Sequence, residues 1–337
     1  LNLGLDFGFF DNHITGSIEY YNMNTHDMIM NQRLPDLSGF NSITTNLGEV
    51  SNNGIEIYIN TSNINNDILK WNTTLSFSYN KNKIKHLYYE YEDILDSNGN
   101  VIGRKEMDDE TNNWFIGQPI SAIWNYNVTG IWQVDEIEEA KLYRQKPGDP
   151  KVANNYTDDD RVNSDGSITP VYNNNDKEFL GQTTPPVLWA LRNDFTLFKN
   201  WDISFNIYSY MGHKSLSANY LNQDNSGSSI TYNFNTSSKE YWTLENPTSK
   251  YGRLDAQGPS GLTSPQKLYN RSFIRFENIS IGYAFPKHWT QKLDVDVVKL
   301  FGSIRNVAVW SKEWEYGDPE SGGQATRLFS LGLNVTF

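Results

Sequence analysis

The chain has 337 residues, a length that suits one large all-β unit or two ordinary domains. Hydrophobic residues make up only 37% of it and the mean hydropathy is −0.62, yet 14% of the residues are aromatic. A buried-core α/β enzyme carries more Ala, Leu and Val, so the composition fits a wall of strands with one apolar face. The net charge of −12 disfavours a nucleic-acid partner, and the absence of Cys excludes a disulfide framework and Cys-ligated zinc.

The sequence has no stretch that approaches the roughly 20 consecutive apolar residues of a transmembrane helix. A structure that spans a membrane would therefore have to be a closed β-barrel. The chain starts directly on a strand pattern without a signal peptide, which indicates a processed, truncated or partial polypeptide.

The first predicted element is a β-hairpin. Leu3, Leu5 and Phe7 alternate with polar or small residues, and the pattern resumes at Ile14 after a tight turn around Asp11. The same alternation predicts three further hairpins, which join 55–59 to 71–79, 187–197 to 201–207, and 279–285 to 298–304.

The last strand, Phe329–Phe337, alternates without a break between apolar and polar or small side chains. An aromatic final residue on such a strand is typical of bacterial outer-membrane barrels, although a soluble sandwich can also end in an amphipathic strand. We predict that this strand closes the barrel, that it pairs with a strand outside this chain, and that Phe337 is the recognition end for barrel assembly.

Long polar segments separate the hairpins, at about 25–52, 85–110, 133–183, 213–270 and 312–323. Short turns at one end and long loops at the other are the layout of an outer-membrane barrel, with periplasmic turns and extracellular loops. A soluble sandwich would show turn signals at more even spacing. The asymmetry favours a transmembrane antiparallel β-barrel as the fold class.

The alternation of strand direction allows the strands to be counted. An up-and-down barrel alternates direction at every step, so the strand predicted at 120–132 requires a further strand at about 109–117. The total is then about eleven strands, an odd number that does not close alone if single-chain bacterial barrels have even counts.

Several segments together resemble one family, the SusC/RagA type of TonB-dependent outer-membrane transporter. The matching blocks are Asn2–Asn22 (NLGLDFGFFDNHITGSIEYYN), Asn46–Ile57 (NLGEVSNNGIEI), Tyr79–Ile84 (YNKNKI), Gly117–Trp132, Pro147–Asp149, Tyr241–Pro247, Ser272–Tyr283 and Asp318–Glu320. Each block is weak alone, but they follow the family order over nearly the whole chain.

The resemblance implies that residues 1–337 are the C-terminal half of a barrel of about 22 strands. The plug domain, the TonB box and the N-terminal barrel half would be absent from this chain. The implied function is import of glycans or oligopeptides across the bacterial outer membrane, driven through TonB, with no catalytic residues and no cofactor. The implied partner is a SusD-like surface lipoprotein, which we expect on the long loops at 133–183 and 213–270.

Aromatic residues recur at the ends of the predicted outward stripes. In a membrane barrel they would form the interfacial girdles, whereas in a sandwich they would pack in the core. The predicted girdle residues are Phe9, Trp71, Tyr79, Trp189, Trp201, Tyr283 and Phe285. The opposite face is short and polar, as in Ser76, Ser204 and Asn206, and suits a wet lumen or contact with a plug.

Three loop tryptophans, Trp132, Trp242 and Trp314, are candidates for stacking on sugar rings or for packing on a partner. Packing within the loops is an equally good explanation.

One acidic turn resembles a calcium loop, in which oxygen ligands occur on alternate residues and Gly permits the turn. The candidate ligands are Asp160, Asn163 and Asp165, but Arg161 occupies the first ligand position. An acidic turn without an ion is therefore the favoured interpretation.

No catalytic signature stands out, because the five His are scattered and the acidic runs suit solvated loops. The alternative function is a secreted soluble all-β carbohydrate-binding module or glycoside hydrolase, in which acidic loop residues would form a carboxylate pair. Dependence on detergent would separate the two hypotheses.

Overall fold

The computed structural model describes residues 1–34, 36–221, 240–262, 264–293 and 295–337. Its strands are β1 (Asn2–Phe9), β2 (Ile14–Arg33), β3 (Ser42–Asn65), β4 (Leu69–His86), β5 (Tyr91–Leu95), β6 (Val101–Glu106), β7 (Ala122–Asn125), β8 (Val128–Ile131), β9 (Pro150–Val152), β10 (Arg161–Val162), β11 (Ile168–Thr169), β12 (Glu178–Gln182), β13 (Val187–Leu197), β14 (Trp201–Met211), β15 (Lys214–Ser217), β16 (Lys267–Asn270), β17 (Phe273–Ala284), β18 (Val297–Ser311) and β19 (Leu328–Thr336). Short α-helices cover Ile137–Leu142 and Lys287–Thr290, and 3-10 turns cover Asp36–Ser38, Val134–Glu136, Asn174–Asp176, Asn219–Leu221 and Gln291–Leu293.

The described chain divides into two compact units. Unit 1 comprises Leu1–Ala122, Thr184–His213 and Arg271–Phe337, and unit 2 comprises Ile123–Thr183 and Lys214–Asn270. No helix in the described ranges is long and apolar enough to cross a membrane.

Unit 1 is built on one antiparallel sheet of nine strands, in the order β1-β2-β3-β4-β13-β14-β17-β18-β19. We call this sheet the strand wall. All four predicted hairpins and the predicted terminal strand lie in it, so these predictions are confirmed. β1 and β19 are its two edges.

Directly opposed residues form rows across the strand wall, and a row keeps one chemical character because opposed side chains share a face. One row contains Ile18, Ile57, Phe77 and Trp189. The next row contains Ser17, Tyr58, Ser76, Ala190 and Tyr208, on the opposite face. The alternation in each sequence segment thus becomes one continuous apolar face and one continuous polar face.

The tight turns lie at one end of the strand wall, as predicted. They link β1 to β2, β3 to β4, and β13 to β14. The β17–β18 connection at the same end is longer and contains the short helix Lys287–Thr290. Of the turn residues, Phe10, Asp11, Asn12, Phe198 and Lys199 have positive φ.

The prediction of a long loop at 25–52 is wrong. β2 and β3 have 20 and 24 residues, about twice the 9–11 that a transmembrane strand needs, and they stay paired up to Arg33 and Ser42. Met30 and Val50 on this extension pack with Ile84 and Leu87 in a small buried cluster. The polar composition hid the extension, since a paired strand outside a membrane does not need an apolar stripe.

Two predicted strands are also wrong as wall strands. Residues 109–117 form a turn closed by a single bridge between Asp109 and Trp114, and 120–132 contains only the short β7 and β8. These two strands pair with β12 and β9 outside the wall. β4 pairs directly with β13, which gives the wall nine strands rather than about eleven and satisfies the alternation of direction without them.

The remaining predicted loops hold short elements: β5 and β6 in 85–110, and β15 and β16 in 213–270. Residues 222–239 of the last predicted loop lie outside the described residues.

Unit 2 has its own apolar core. It consists of seven buried side chains, which are those of Val128, Ile131, Val152, Tyr220, Leu221, Trp242 and Tyr251. The apolar residues of 120–132 that suggested a wall strand serve this core, because alternation alone does not say which core a side chain enters.

Gly16 in β2 tests the close pairing of the wall. A Cβ there would lie 2.2 Å from the carbonyl oxygen of Tyr58 and 2.8 Å from the ring of Phe7. We expect Gly16→Ala to lower the free energy of unfolding of the full-length protein in detergent by about 1–3 kcal/mol.

The matched control is Gly302→Ala in β18, where the nearest atom is 3.8 Å from the new Cβ. It should change the free energy by less than about 0.5 kcal/mol. Equal effects of the two variants in urea unfolding would contradict the register described above.

Candidate functional site

The polar face of the strand wall holds an open groove of about 580 Å³, which we call the polar groove. Its polar-face lining comes from Ser17, Glu19, Glu56, Tyr58, Ser76, Ser78, Leu188, Ala190, Asn206, Tyr208 and Tyr210. Glu19 and Glu56 oppose each other directly across β2 and β3. The groove therefore combines hydroxyls, aromatic rings and carboxylates on one surface.

Two ion pairs lie on the polar face towards the turn end. Lys299 Nζ lies 2.5 Å from Asp202 Oδ2, and Arg192 Nη2 lies 2.7 Å from Asp194 Oδ1. Ser204 and Ser280 join their hydroxyls at 2.7 Å. Small polar residues and neutralised charges thus line this half, in agreement with the predicted inward positions.

A buried ion-pair network lies at the other end of the polar face. Arg275 is only 4% exposed, and its Nη2 and Nη1 donate to Asp318 Oδ2 at 2.6 Å and Asn306 Oδ1 at 2.5 Å. The Tyr208 hydroxyl donates to Glu320 at 2.6 Å. These contacts hold the loop 312–327 against the wall beside the polar groove.

A register shift explains why Arg275 faces inward. The pairing of β17 with β14 and β18 slips between Phe276 and Asn278, so that the alternation changes phase at Glu277. Arg275 thereby comes opposite Tyr208, on the polar face. The sequence pattern did not predict this network, although Arg275 and Asp318 both lie in blocks of the family resemblance.

The Asp318 carboxylate is stabilised as an anion. Burial opposes its charge, but Arg275 and the backbone amides of Ser321 and Glu320 donate to it and together hold the pKa of Asp318 below its usual range. The loop contact therefore persists through the physiological pH range.

The predicted girdle residues lie on the apolar face in two groups. Trp71 stacks on Phe195 at 5.6 Å near the turn end, where Trp201, Tyr283 and Phe285 also form a chain with centroid distances of 4.7 and 5.2 Å. Phe9 ends β1 at the same turn end.

Tyr79 lies eight positions along β4 from Trp71, a separation of about 27 Å at ~3.4 Å per residue. Trp189 lies two rows from it, opposite Phe77 and on the same face. The separation is comparable to the ~25 Å apolar band of outer-membrane barrels. The girdle role of these residues stays a prediction.

Trp132 and Trp242 are both buried in unit 2, with 3% and 7% exposure. Trp132 Nε1 donates to Gln145 at 2.9 Å, and Lys151 Nζ lies 4.2 Å from its ring centroid. Trp242 belongs to the apolar core. Their rings are enclosed by unit 2 itself, so stacking on a sugar from solvent would require this unit to open.

Trp314 lies in the loop after β18 and is partly exposed. The Arg271 guanidinium carbon lies 4.9 Å from its ring centroid, and Tyr316 packs edge-on at 5.6 Å. Of the three candidate tryptophans, it alone is partly exposed. Trp132 and Trp242 lie in unit 2, whereas Trp314 lies in unit 1.

The Pro147-Gly148-Asp149 block organises unit 2. Asp149 is buried and accepts hydrogen bonds from Arg253, at 2.9 and 3.1 Å, and from the Gln257 amide at 3.1 Å. Gly148 has φ +93°, and a Cβ there would lie 2.9 Å from Trp242. The block therefore joins two distant segments of the chain, which the sequence analysis did not anticipate.

The candidate calcium residues lie in and before a small hairpin formed by β10 and β11. Asp165 accepts from the Ser167 amide at 3.0 Å, and Asp160 accepts from the Val171 amide at 2.9 Å. The Asn163 side chain donates to Ser167 and Thr169. Throughout the described ranges, no three His, Asp or Glu side chains are grouped to hold a metal ion. The absence of calcium stays a prediction.

Phe337 follows the edge strand β19 and is exposed. Its proposed roles in closing the barrel and in assembly stay predictions.

Comparison with known proteins shows that the chain is similar to TonB-dependent receptors. Over its whole length it is 27% identical to TonB-dependent receptor P3 of Formosa agariphila and 26% identical to TonB-dependent receptor SusC of Bacteroides thetaiotaomicron. It spans 34% and 31% of these proteins, about a third of their length. No family model matches the chain.

Solved structures show the same fold. All of the chain aligns with 35% of a chain in the structure of the RagAB peptide transporter, at a TM-score of 0.70 and 20% identity. The structure of the RagAB peptide importer in the open-open state gives a TM-score of 0.69 over 34% of that chain, also at 20% identity.

The two-faced antiparallel wall and these matches define the class as a transmembrane β-barrel, of which the nine strands form a part. Within that class the chain is similar over its whole length to TonB-dependent receptors, SusC among them, and it shares its fold with part of a chain of RagAB. The similar proteins named above are receptors and transporters rather than enzymes.

Asp149→Asn tests the buried ion pair of unit 2. The variant removes the buried anion, while the Arg253 side chain is 17% exposed and keeps its contact with the exposed Asp255, so we expect unit 2 to lose about 1–3 kcal/mol of stability. Faster proteolysis within 123–183 and 214–270 of the full-length protein would report this loss. Asp255→Asn is the control, because Asp255 contacts the same Arg253 but is exposed, and proteolysis at the wild-type rate is expected.

Arg275→Met tests the loop contact. At pH 7 we expect faster hydrogen exchange of the Glu320 and Ser321 amides, which Asp318 holds. In the wild type, the ionised Asp318 stabilises the loop contact at every pH above the ordinary aspartate pKa. This stabilisation is lost only as the pH falls through the lowered pKa of Asp318. Hydrogen exchange of these two amides in the wild type should therefore become faster only below about pH 4, after correction for the intrinsic exchange rates. Arg305→Met, which removes an exposed pair with Glu277, should leave both amides protected.

Proposed function

We propose that this chain forms part of the barrel wall of an outer-membrane nutrient importer that is energised through TonB. The observation that carries the proposal is the strand wall, in which eight successive strand pairings keep one apolar and one polar face. An apolar face of this extent is costly in water but favourable in contact with lipid. The similarity to TonB-dependent receptors supports the same conclusion.

The cargo is a glycan or an oligopeptide, which would pass along the polar face. The Tyr58, Tyr208 and Tyr210 rings of the polar groove offer stacking surfaces, and its carboxylates and hydroxyls offer hydrogen-bond partners. RagAB is described as a peptide transporter, which supports the oligopeptide class of cargo.

The partners are a plug domain and further wall strands of the same transporter, TonB in the periplasm, and a SusD-like lipoprotein at the cell surface. Unit 2 contains most of the two longest predicted loops, and we assign its surface to the lipoprotein contact. The buried pairs of Asp149 with Arg253 and of Trp132 with Gln145 make this unit a folded platform rather than a flexible loop.

Import of this kind requires no chemical step on the cargo, so the protein is not an enzyme and needs no cofactor. The energy for transport comes from the inner membrane through TonB. The wall supplies a passage that excludes lipid and offers polar contacts.

The test is purification of the full-length protein with and without detergent, followed by binding of candidate cargo. We expect aggregation when detergent is removed, and cargo uptake by cells that is lost on deletion of TonB. A monodisperse protein in detergent-free buffer that binds or cleaves a polysaccharide would instead establish the secreted carbohydrate-active alternative.

A further inference from the structure

A carboxylate of the loop 312–327 occupies one end of the polar groove. The Tyr208 ring lines the groove, and its hydroxyl donates to Glu320 Oε2 at 2.6 Å. Arg275 Nε lies 3.4 Å from the same oxygen. A group of the protein itself therefore covers two donors that suit an anion at this end of the groove.

Glu320 is not needed to neutralise Arg275. The guanidinium already pairs with Asp318 at 2.6 Å, and the two side chains are nearly buried, at 4% and 3% exposure. The Glu320 side chain is 36% exposed and adds a second negative charge beside one positive charge. Solvent screens its attraction to Arg275, so Glu320 is held more weakly than Asp318.

The Nε–H group of Arg275 is buried and has no hydrogen-bond acceptor within the described residues. Its contact with Glu320 is an ion pair by distance, but the geometry does not make a hydrogen bond. A buried donor without an acceptor is unfavourable. A carboxylate with one oxygen towards Tyr208 and the other towards Arg275 would accept a hydrogen bond from each and remove this defect.

The backbone at Glu320 is held independently of its side chain. Its amide donates to Asp318 at 2.9 Å, and Arg271 Nη2 donates to its carbonyl at 3.2 Å. Rotation of the Glu320 side chain away from Tyr208 therefore leaves both backbone contacts in place. The carboxylate is exchangeable, whereas the loop stays attached to the wall.

The other end of the polar groove carries negative charge. Glu19 and Glu56 oppose each other across β2 and β3, and neither forms an ion pair within the described residues. Three strand spacings separate β3 from β14, which carries Tyr208, and four separate β2 from it. At ~4.8 Å per spacing these are about 14 and 19 Å, which an extended peptide of about four to six residues covers. A cargo with an ammonium group at one end and a carboxylate at the other matches this distribution of charge.

We propose that the polar groove binds an oligopeptide by its C-terminal carboxylate, which displaces Glu320 and accepts hydrogen bonds from Tyr208 and Arg275. The N-terminal ammonium group of the peptide then points towards Glu19 and Glu56. In the empty transporter Glu320 takes the place of the cargo carboxylate. The inference rests on the proposed function and narrows its cargo to an oligopeptide with a free C-terminus.

The test is the retention of peptides by the full-length transporter in detergent. The probe is a synthetic pool of random pentapeptides with free C-terminal carboxylates, mixed in equal amount with the same pool as C-terminal amides. Mass spectrometry measures the ratio of acids to amides among the retained peptides. We expect the acids to be enriched about tenfold, because hydrogen bonds to a charged acceptor are stronger than those to a neutral one.

Glu320→Gln removes the competing charge. We expect the acid-to-amide ratio to rise severalfold above the wild-type ratio, whereas loss of a merely structural contact would lower the retention of both pools alike. Glu313→Gln is the matched control, because Glu313 is another exposed carboxylate of the same loop, and the wild-type ratio is expected. Tyr208→Phe removes one donor, so the ratio should fall towards one. Melting temperatures in detergent check that all three variants are folded.

Equal retention of acids and amides, or retention of neither pool, would overturn the inference. Retention of the neutral maltopentaose or the acidic trigalacturonate in place of the peptides would overturn it as well, but it would leave the importer function standing. A full-length protein that is monodisperse without detergent would contradict the proposed function itself, and the inference with it.

Discussion

The structure depends on one constraint: every backbone amide and carbonyl in the strand wall must find its partner on a neighbouring strand, because hydrocarbon offers none. The antiparallel ladder meets this requirement from β1 to β19. The pleat then assigns successive side chains to opposite faces, so that the ladder also separates an apolar surface from a polar one. The aromatic groups at Trp71 and Tyr79, the polar groove and the ion pairs all follow from this separation.

In β17 a break in the alternation places a charge on the polar face. The irregularity at Glu277 changes the phase of β17 and turns Arg275 to the polar face, where Asp318 and Asn306 accept its hydrogen bonds. A buried guanidinium without these acceptors would be strongly unfavourable. The bulge, the ion pair and the contact of loop 312–327 with the wall therefore form one arrangement, in which Glu320 also accepts a hydrogen bond from Tyr208.

Unit 2 follows a different principle from the wall. Its core is closed by aromatic side chains, and its segments are joined by buried polar contacts such as Asp149 with Arg253. A unit that folds in water is stabilised by burying its apolar side chains against one another. A single sheet without lipid does not bury its apolar face in this way. A compact unit of this kind can present a fixed surface to a partner at a lower entropic cost than a flexible loop.

The sequence alone determined the strand class, four hairpins, the end at which the tight turns lie and the faces of the strands, because a period of two is a local property of the chain. It did not determine the number of wall strands, since 120–132 alternates in the same way but directs Val128 and Ile131 into unit 2. Nor did it reveal the extension of β2 and β3, where pairing persists without an apolar stripe. The surroundings of Trp132, Trp242 and Arg275 depend on contacts between residues far apart in the chain, and only the tertiary structure decided them.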